Sequence, residues 1–134
     1  MTTTTLVKNV RTLIAAATSN AAAGITRGTV DLRTAQGGLL TIKLTNGATG
    51  PAVQAVANIL AAHNAGVTPA AASAGVDWKT IYQVGNGVVA NTIGEWNLDV
   101  PAGTMHLEVE VIGNTAQAVV CEAFLSEITN ATTV

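Results

Sequence analysis

The sequence predicts an all-β protein, an antiparallel β-sandwich preceded by an N-terminal arm. Three observations predict it. Apolar and polar residues alternate with period two in several short runs, as strands with one buried face do. Gly, Asn and Pro signals punctuate those runs at short intervals. The composition is small and aliphatic: the 134 residues include 24 Ala, 20 Thr, 13 Gly and 34 Val, Ile and Leu. Aromatic residues are limited to Trp78, Tyr82, Trp96 and Phe124, so the core is expected to be aliphatic. The length fits one compact domain.

Residues 1–25 read as an N-terminal arm or a first strand. The Thr-rich start and β-branched content suit an extended chain, while Leu6, Val10, Leu13 and Ile14 also fit one face of a helix. Next, Val30 and Leu32 oppose Asp31 and Arg33, and Leu40, Ile42 and Leu44 oppose Thr41, Lys43 and Thr45 before Asn46-Gly47. These two runs read as a hairpin. Over residues 51–64, Val53, Val56, Ala57 and Leu60 would line a helix opening at Pro51, and Val53, Ala55, Ala57, Ile59 and Ala61 would line a strand. The strand is preferred for consistency with its neighbours. Residues 65–76 carry no charge and read as a long surface loop.

The β-forming run from Trp78 to Val84 stops at Gly85-Asn86-Gly87. Trp96, Leu98 and Val100 alternate with Glu95, Asn97 and Asp99; Met105, Leu107, Val109 and Val111 alternate with His106, Glu108 and Glu110. Val-Pro-Ala-Gly at 100–103 joins these runs as the tight turn of a second hairpin. Residues 117–128 alternate less cleanly through Val119, Cys121, Ala123 and Leu125 and read as a last strand buried on both faces. The division is then an arm or first strand at 1–25, a sandwich at 26–129 and a short tail at 130–134. Seven or eight such strands point to a jelly roll ahead of an immunoglobulin-like order.

A net charge of -2 lacks the basic excess of nucleic-acid binders. The lone Cys121 cannot form an intramolecular disulfide, and no apolar run reaches the roughly 18 residues of a membrane span. Neither nucleic acid nor membrane is an expected partner, and the chain reads as soluble and unsecreted. Charge is uneven: five of the six basic residues lie in residues 1–43, and seven of the eight acidic ones in residues 44–134. Pairing of strands from both halves within one fold is preferred over head-to-tail association between copies.

No catalytic residue, cofactor or metal site is expected. Gly85-Asn-Gly87-Val-Val-Ala90 matches G-x-G-x-x-A, with Glu108 about 20 residues on. A dinucleotide site needs a helix there, whereas Val88, Val89, Thr92 and Ile93 favour strand, so a hairpin turn at Asn86-Gly87 is the better reading. His63, His106 and one cysteine are too few zinc ligands. Alternation puts Cys121 inside and His106 outside, which separates them as a nucleophile and base. Glu108 and Glu110 stand roughly 6–7 Å apart along a strand, a glycosidase-like spacing. Without an aromatic cleft, they read with His106 as a solvated charged face. Trp78 and Tyr82 share one face by spacing and could stack a sugar, although core packing is the preferred role.

The stretch Gly28-Thr-Val-Asp-Leu-Arg-Thr-Ala-Gln-Gly-Gly-Leu-Leu-Thr-Ile-Lys-Leu-Thr-Asn-Gly-Ala-Thr-Gly-Pro51, followed by Val53-Gln-Ala-Val-Ala-Asn-Ile-Leu-Ala-Ala-His-Asn64, resembles small structural proteins of tailed bacteriophage virions. Over residues 26–129 it is similar in style to head cement or decoration proteins. That resemblance implies a non-enzymatic homotrimer with a β-rich fold that binds the major capsid protein lattice. It would be assembled in the host cytoplasm and sit on the outer surface of the capsid. It carries over no individual functional residue. Leu6, Val7, Val10, Leu13 and Ile14 are expected either to dock on a neighbouring subunit or the capsid, or to form an extra strand in the same chain. The alternative functions are a carbohydrate- or receptor-binding module using Trp78 and Tyr82, and a tail or head-completion protein.

Overall fold

Among the described residues the alternating runs form eight strands: β1 (Thr4–Asn20), β2 (Thr26–Asp31), β3 (Gly38–Asn46), β4 (Val56–Ala62), β5 (Lys79–Gly85), β6 (Ile93–Val100), β7 (His106–Ile112) and β8 (Val119–Thr133). The structure, a computed structural model, describes residues 3–63 and 78–133. No helix occurs among the described residues, so the helical readings of the first residues and of 51–64 give way to β1 and β4. The expected loop at 65–76 lies outside the described residues.

Two four-stranded antiparallel sheets, ordered β1-β8-β3-β6 and β2-β7-β4-β5, face each other. The pairs β1–β8, β2–β7, β3–β6 and β4–β5 are nested, as when one long hairpin of four strand pairs is wrapped around a core. This is the jelly roll. It corrects three sequence readings. β2 and β3 are not a hairpin, β6 and β7 are not a hairpin, and Asn86-Gly87 is not a hairpin turn, because in each case the chain crosses from one sheet to the other. Among the described residues, β4 and β5 are the one pair of consecutive strands that hydrogen-bond to each other. Period-two alternation marks strands equally well on either side of a crossover or a hairpin turn, so it cannot tell the two apart.

The inner faces supply an aliphatic core. Leu40, Leu44, Ile59, Leu107, Val109, Val111, Val119 and Leu125 are completely buried, and each such side chain contributes roughly 1.5–3 kcal/mol by leaving water. Trp96 and Leu98 of edge strand β6 pack against the core while half exposed. β8 buries one face only, through Val119, Cys121, Ala123 and Leu125, with Glu127 completing the row. The strand buried on both faces is β7.

Residues 1–25 supply β1 as an integral strand rather than a detached arm, and β8 runs through the residues assigned to a tail. The β1–β8 register slips between Thr12 and Ile14 and again before Thr18, which lets the consecutive Leu13 and Ile14 both be buried. β1 and β2 lie against each other at one side of the sandwich. There, a Cβ on Gly28 would stand 1.9 Å from the Leu13 carbonyl oxygen, so only glycine allows the approach.

All odd-numbered strands end at one end of the sandwich, where four buried asparagines pin the loops. Asn20 Nδ2 donates to Asn114 Oδ1 at 2.6 Å, and Asn114 Nδ2 donates to the carbonyls of Asn20, Ala21 and Gln117. Asn86 Nδ2 donates to Asn46 Oδ1 at 3.0 Å, and Asn46 Nδ2 to the carbonyls of Gly87 and Val89. These bonds satisfy the buried amide groups of the asparagines and tie the loop carbonyls to them.

Candidate functional site

β7 lies between β2 and β4, and its register builds polar rows across the outer face of that sheet: Asp31–His106–Ala62, Thr29–Glu108–Leu60 and Arg27–Glu110–Asn58. Arg27 Nη1 donates to Glu108 Oε1 at 3.2 Å and makes an ion pair with Glu110 Oε2. Asn58 Nδ2 donates to Glu110 Oε1 at 3.1 Å, and Gln83 Nε2 of β5 donates to Asn58 Oδ1 at 2.6 Å. The network therefore ties all four strands.

This face is not the solvated charged surface that alternation predicts: His106, Glu108 and Glu110 are buried, Glu108 to 0% exposure. Burial pushes the Glu108 carboxyl above its ordinary value; Arg27 opposes the rise and Glu110 adds to it. Trp78 covers Leu60 and Ala62, the residues in register with Glu108 and His106. Among the described residues, Trp78 Nε1, His106 Nε2 and Glu108 Oε2 are buried with no hydrogen-bond partner. Two carboxylates held on one guanidinium form a strand-bridging lock, and the glycosidase-like spacing of Glu108 and Glu110 does not face an open cleft.

The expected stacking pair is not assembled. Ile59 faces Tyr82 while Leu60 faces Thr80, so β5 carries one extra residue, Ile81, and its side-chain sense reverses. Trp78 is 6% exposed on the outer face; Tyr82 follows the core-facing Ile59 and is 42% exposed at the sheet edge. In the expected docking set, Leu13 and Ile14 belong to the chain's own core, whereas Leu6, Val7 and Val10 are exposed on β1. Cys121 lies in the core of the other sheet from His106, and burial pushes its thiol up despite a hydrogen bond with Thr26. No helix follows Gly85-Asn86-Gly87, where the Gly87 N–H donates to Gln54 Oε1 and leaves no phosphate cradle of the expected kind. Among the described residues no group of three His, Cys, Asp or Glu could hold a metal ion.

The open surfaces lie elsewhere. Leu6, Val7, Val10 and Ile25 are exposed along the β1/β2 side, and Ile81, Tyr82, Val88, Val89 and Ile93 along the opposite β5/β6 side. The first side is closed by the Gly28 approach. The second opens into a cleft of about 400 Å³ lined by Ala61, Ile81, Leu98, Pro101 and Met105 among others. Sequence reasoning missed this pairing of sides, because a strand's place at a sheet edge is a property of topology. The outer face of β1-β8-β3-β6 is also open, with Val10, Leu39, Val120 and Ile93 exposed among Thr41, Thr45 and Ser126.

No family model and no curated protein matches this chain. Solved structures share its architecture. The K3 cleaved adhesin domain of Lys-gingipain from Porphyromonas gingivalis is 13% identical with a TM-score of 0.48, over 78% of this chain and 63% of that one, less than two thirds of its length. The SPBc2 prophage-derived protein YomS is 18% identical with a TM-score of 0.46, over 91% of this chain and 95% of that one. A family 16 carbohydrate-binding module is 9% identical with a TM-score of 0.44, over 87% and 74%. These likenesses are of fold alone.

Proposed function

We propose that this chain is a non-catalytic virion structural protein of a tailed bacteriophage, a cement or decoration protein that binds the assembled head lattice and reinforces it. The observation that supports this reading is the open outer face of β1-β8-β3-β6. It combines short side chains at Thr41, Thr45 and Ser126 and dispersed apolar residues, Val10, Leu39, Val120 and Ile93, with the solvated charges of Lys43, Glu95 and Glu122. Its short and β-branched positions lose little side-chain entropy when covered, which lowers the cost of a contact made through them. The partner is the major capsid protein in its assembled state, on the outside of the head. Selective binding to the assembled lattice stabilises it by mass action.

The test is co-sedimentation of the purified protein with assembled heads of the phage that encodes it, beside unassembled coat subunits. The expected result is saturable binding to heads, none to free subunits, and a higher temperature of head rupture. Absence of binding to heads, or equal binding to free subunits, overturns the reading.

A further inference from the structure

We infer that the β1 edge of one copy of this chain pairs with the β6 edge of a second copy, continuing the β1-β8-β3-β6 sheet from subunit to subunit. The edge of β6 and the Thr4–Thr12 stretch of β1, which lies before the Gly28 approach at Leu13, have no strand partner on their outer side among the described residues, and both belong to the same sheet. Unpaired edges carry free backbone donors and acceptors and are natural templates for strand addition.

Direction, charge and apolar surface agree on this pairing. The sheet has four strands, each antiparallel to the next, so β1 and β6 run in opposite directions. Turning a second copy about an axis along the strands therefore sets its β1 antiparallel to the first copy's β6, with both outer faces on the same side. β1 contains Lys8 and Arg11 and no acid; β6 contains Glu95 and Asp99 and no base. Arg11 is engaged by Glu127 and Glu95 lies near Lys43, but no described group forms an ion pair with Lys8 or Asp99. Within one chain these two stand on opposite edge strands, about 14 Å apart across three strand spacings and two residues out of register, Asp99 lying in the row of Val10; between copies they become diagonal neighbours on the outer face.

The apolar residues follow the same plan. Leu6, Val7, Val10 and Ile25 flank the first edge; Ile81, Tyr82, Val88, Val89 and Ile93 flank the second. The β1/β8 register also continues past the end of the β3–β8 pairing at Glu127, as a two-stranded ribbon that a neighbour would support. The other sheet's edges have no such charge complement, since β2 carries both Arg27 and Asp31. A contact between two different edges is heterologous, and with a rotation that divides the circle it closes into a ring. This deepens the reading of the chain as an assembling structural module, and its test needs no phage head.

The test is native mass by size-exclusion chromatography with light scattering over a range of concentrations, for the wild type, Lys8→Glu, Asp99→Lys and the double variant. Circular dichroism checks that each is folded, as both positions are on the surface. The wild type is expected to form a closed oligomer. Each single reversal should raise the dissociation constant about tenfold or more, and the double variant should restore the wild-type mass. A wild type that stays monomeric throughout, single variants of unchanged mass, or a double variant that stays dissociated overturns the inference. An intact charge-swap series in a protein that ignores heads would remove only the cement reading; head binding by a strict monomer would remove only the edge pairing.

Discussion

The two sheets share one core and differ on their outer faces. Behind β2-β7-β4-β5 the central charged residues are withdrawn from water: Arg27 holds Glu108 and Glu110, and Glu108 has no exposed surface. Behind β1-β8-β3-β6 the charged residues stay in water, where Lys43 and Glu95 keep 40% and 70% of their side-chain surface and approach to 3.9 Å. Chemically similar outward positions thus do different work. In the covered face each charge is costly to strand without its partner, so the network locks four strands together. In the open face a charge costs little to keep and leaves the surface free for contact.

Removing one cation from each face breaks the comparison most directly. Arg27→Met leaves two buried carboxylates without their guanidinium and is expected to destabilise by about 3–5 kcal/mol in urea unfolding at neutral pH. Glu108→Gln sharpens it through pH. Because burial raises the Glu108 carboxyl above its ordinary 4.5, the folded state keeps a proton that the unfolded chain has lost, so this residue's contribution falls as pH rises through that window. The variant is expected to lose that slope and to be at least as stable as wild type at pH 7. Wild-type slope in the variant would place the titration elsewhere. The smallest effect belongs to the open face, where Lys43→Ala is expected to change stability by about 0.5 kcal/mol or less. A cost like that of Arg27→Met would mean the two faces are not different in kind.

Most strands were legible because alternation is local: the pattern of Met105 to Val111 or of Leu40 to Thr45 needs only the pleat to be true. Mixing of charge within the fold was legible in part. Arg11 meets Glu127, Arg27 meets Glu108 and Glu110, and Lys43 meets Glu95, while edges β1 and β6 keep their opposite signs. The burial of His106, Glu108 and Glu110 was not legible, since alternation separates inner from outer and says nothing of what lies over the outer face. Nor was the separation of Trp78 from Tyr82, which turns on the extra residue Ile81 in β5.

Local pattern was enough to specify an all-β chain with an aliphatic core and the residues that face it, because side-chain sense repeats every two residues and burial of apolar surface selects one face. Which strands pair, the crossing of most successive strands between sheets, and the open edges at β6 and the first half of β1 were settled by tertiary contacts. Those choices come from contacts between residues far apart in the chain, whose geometry no local pattern encodes.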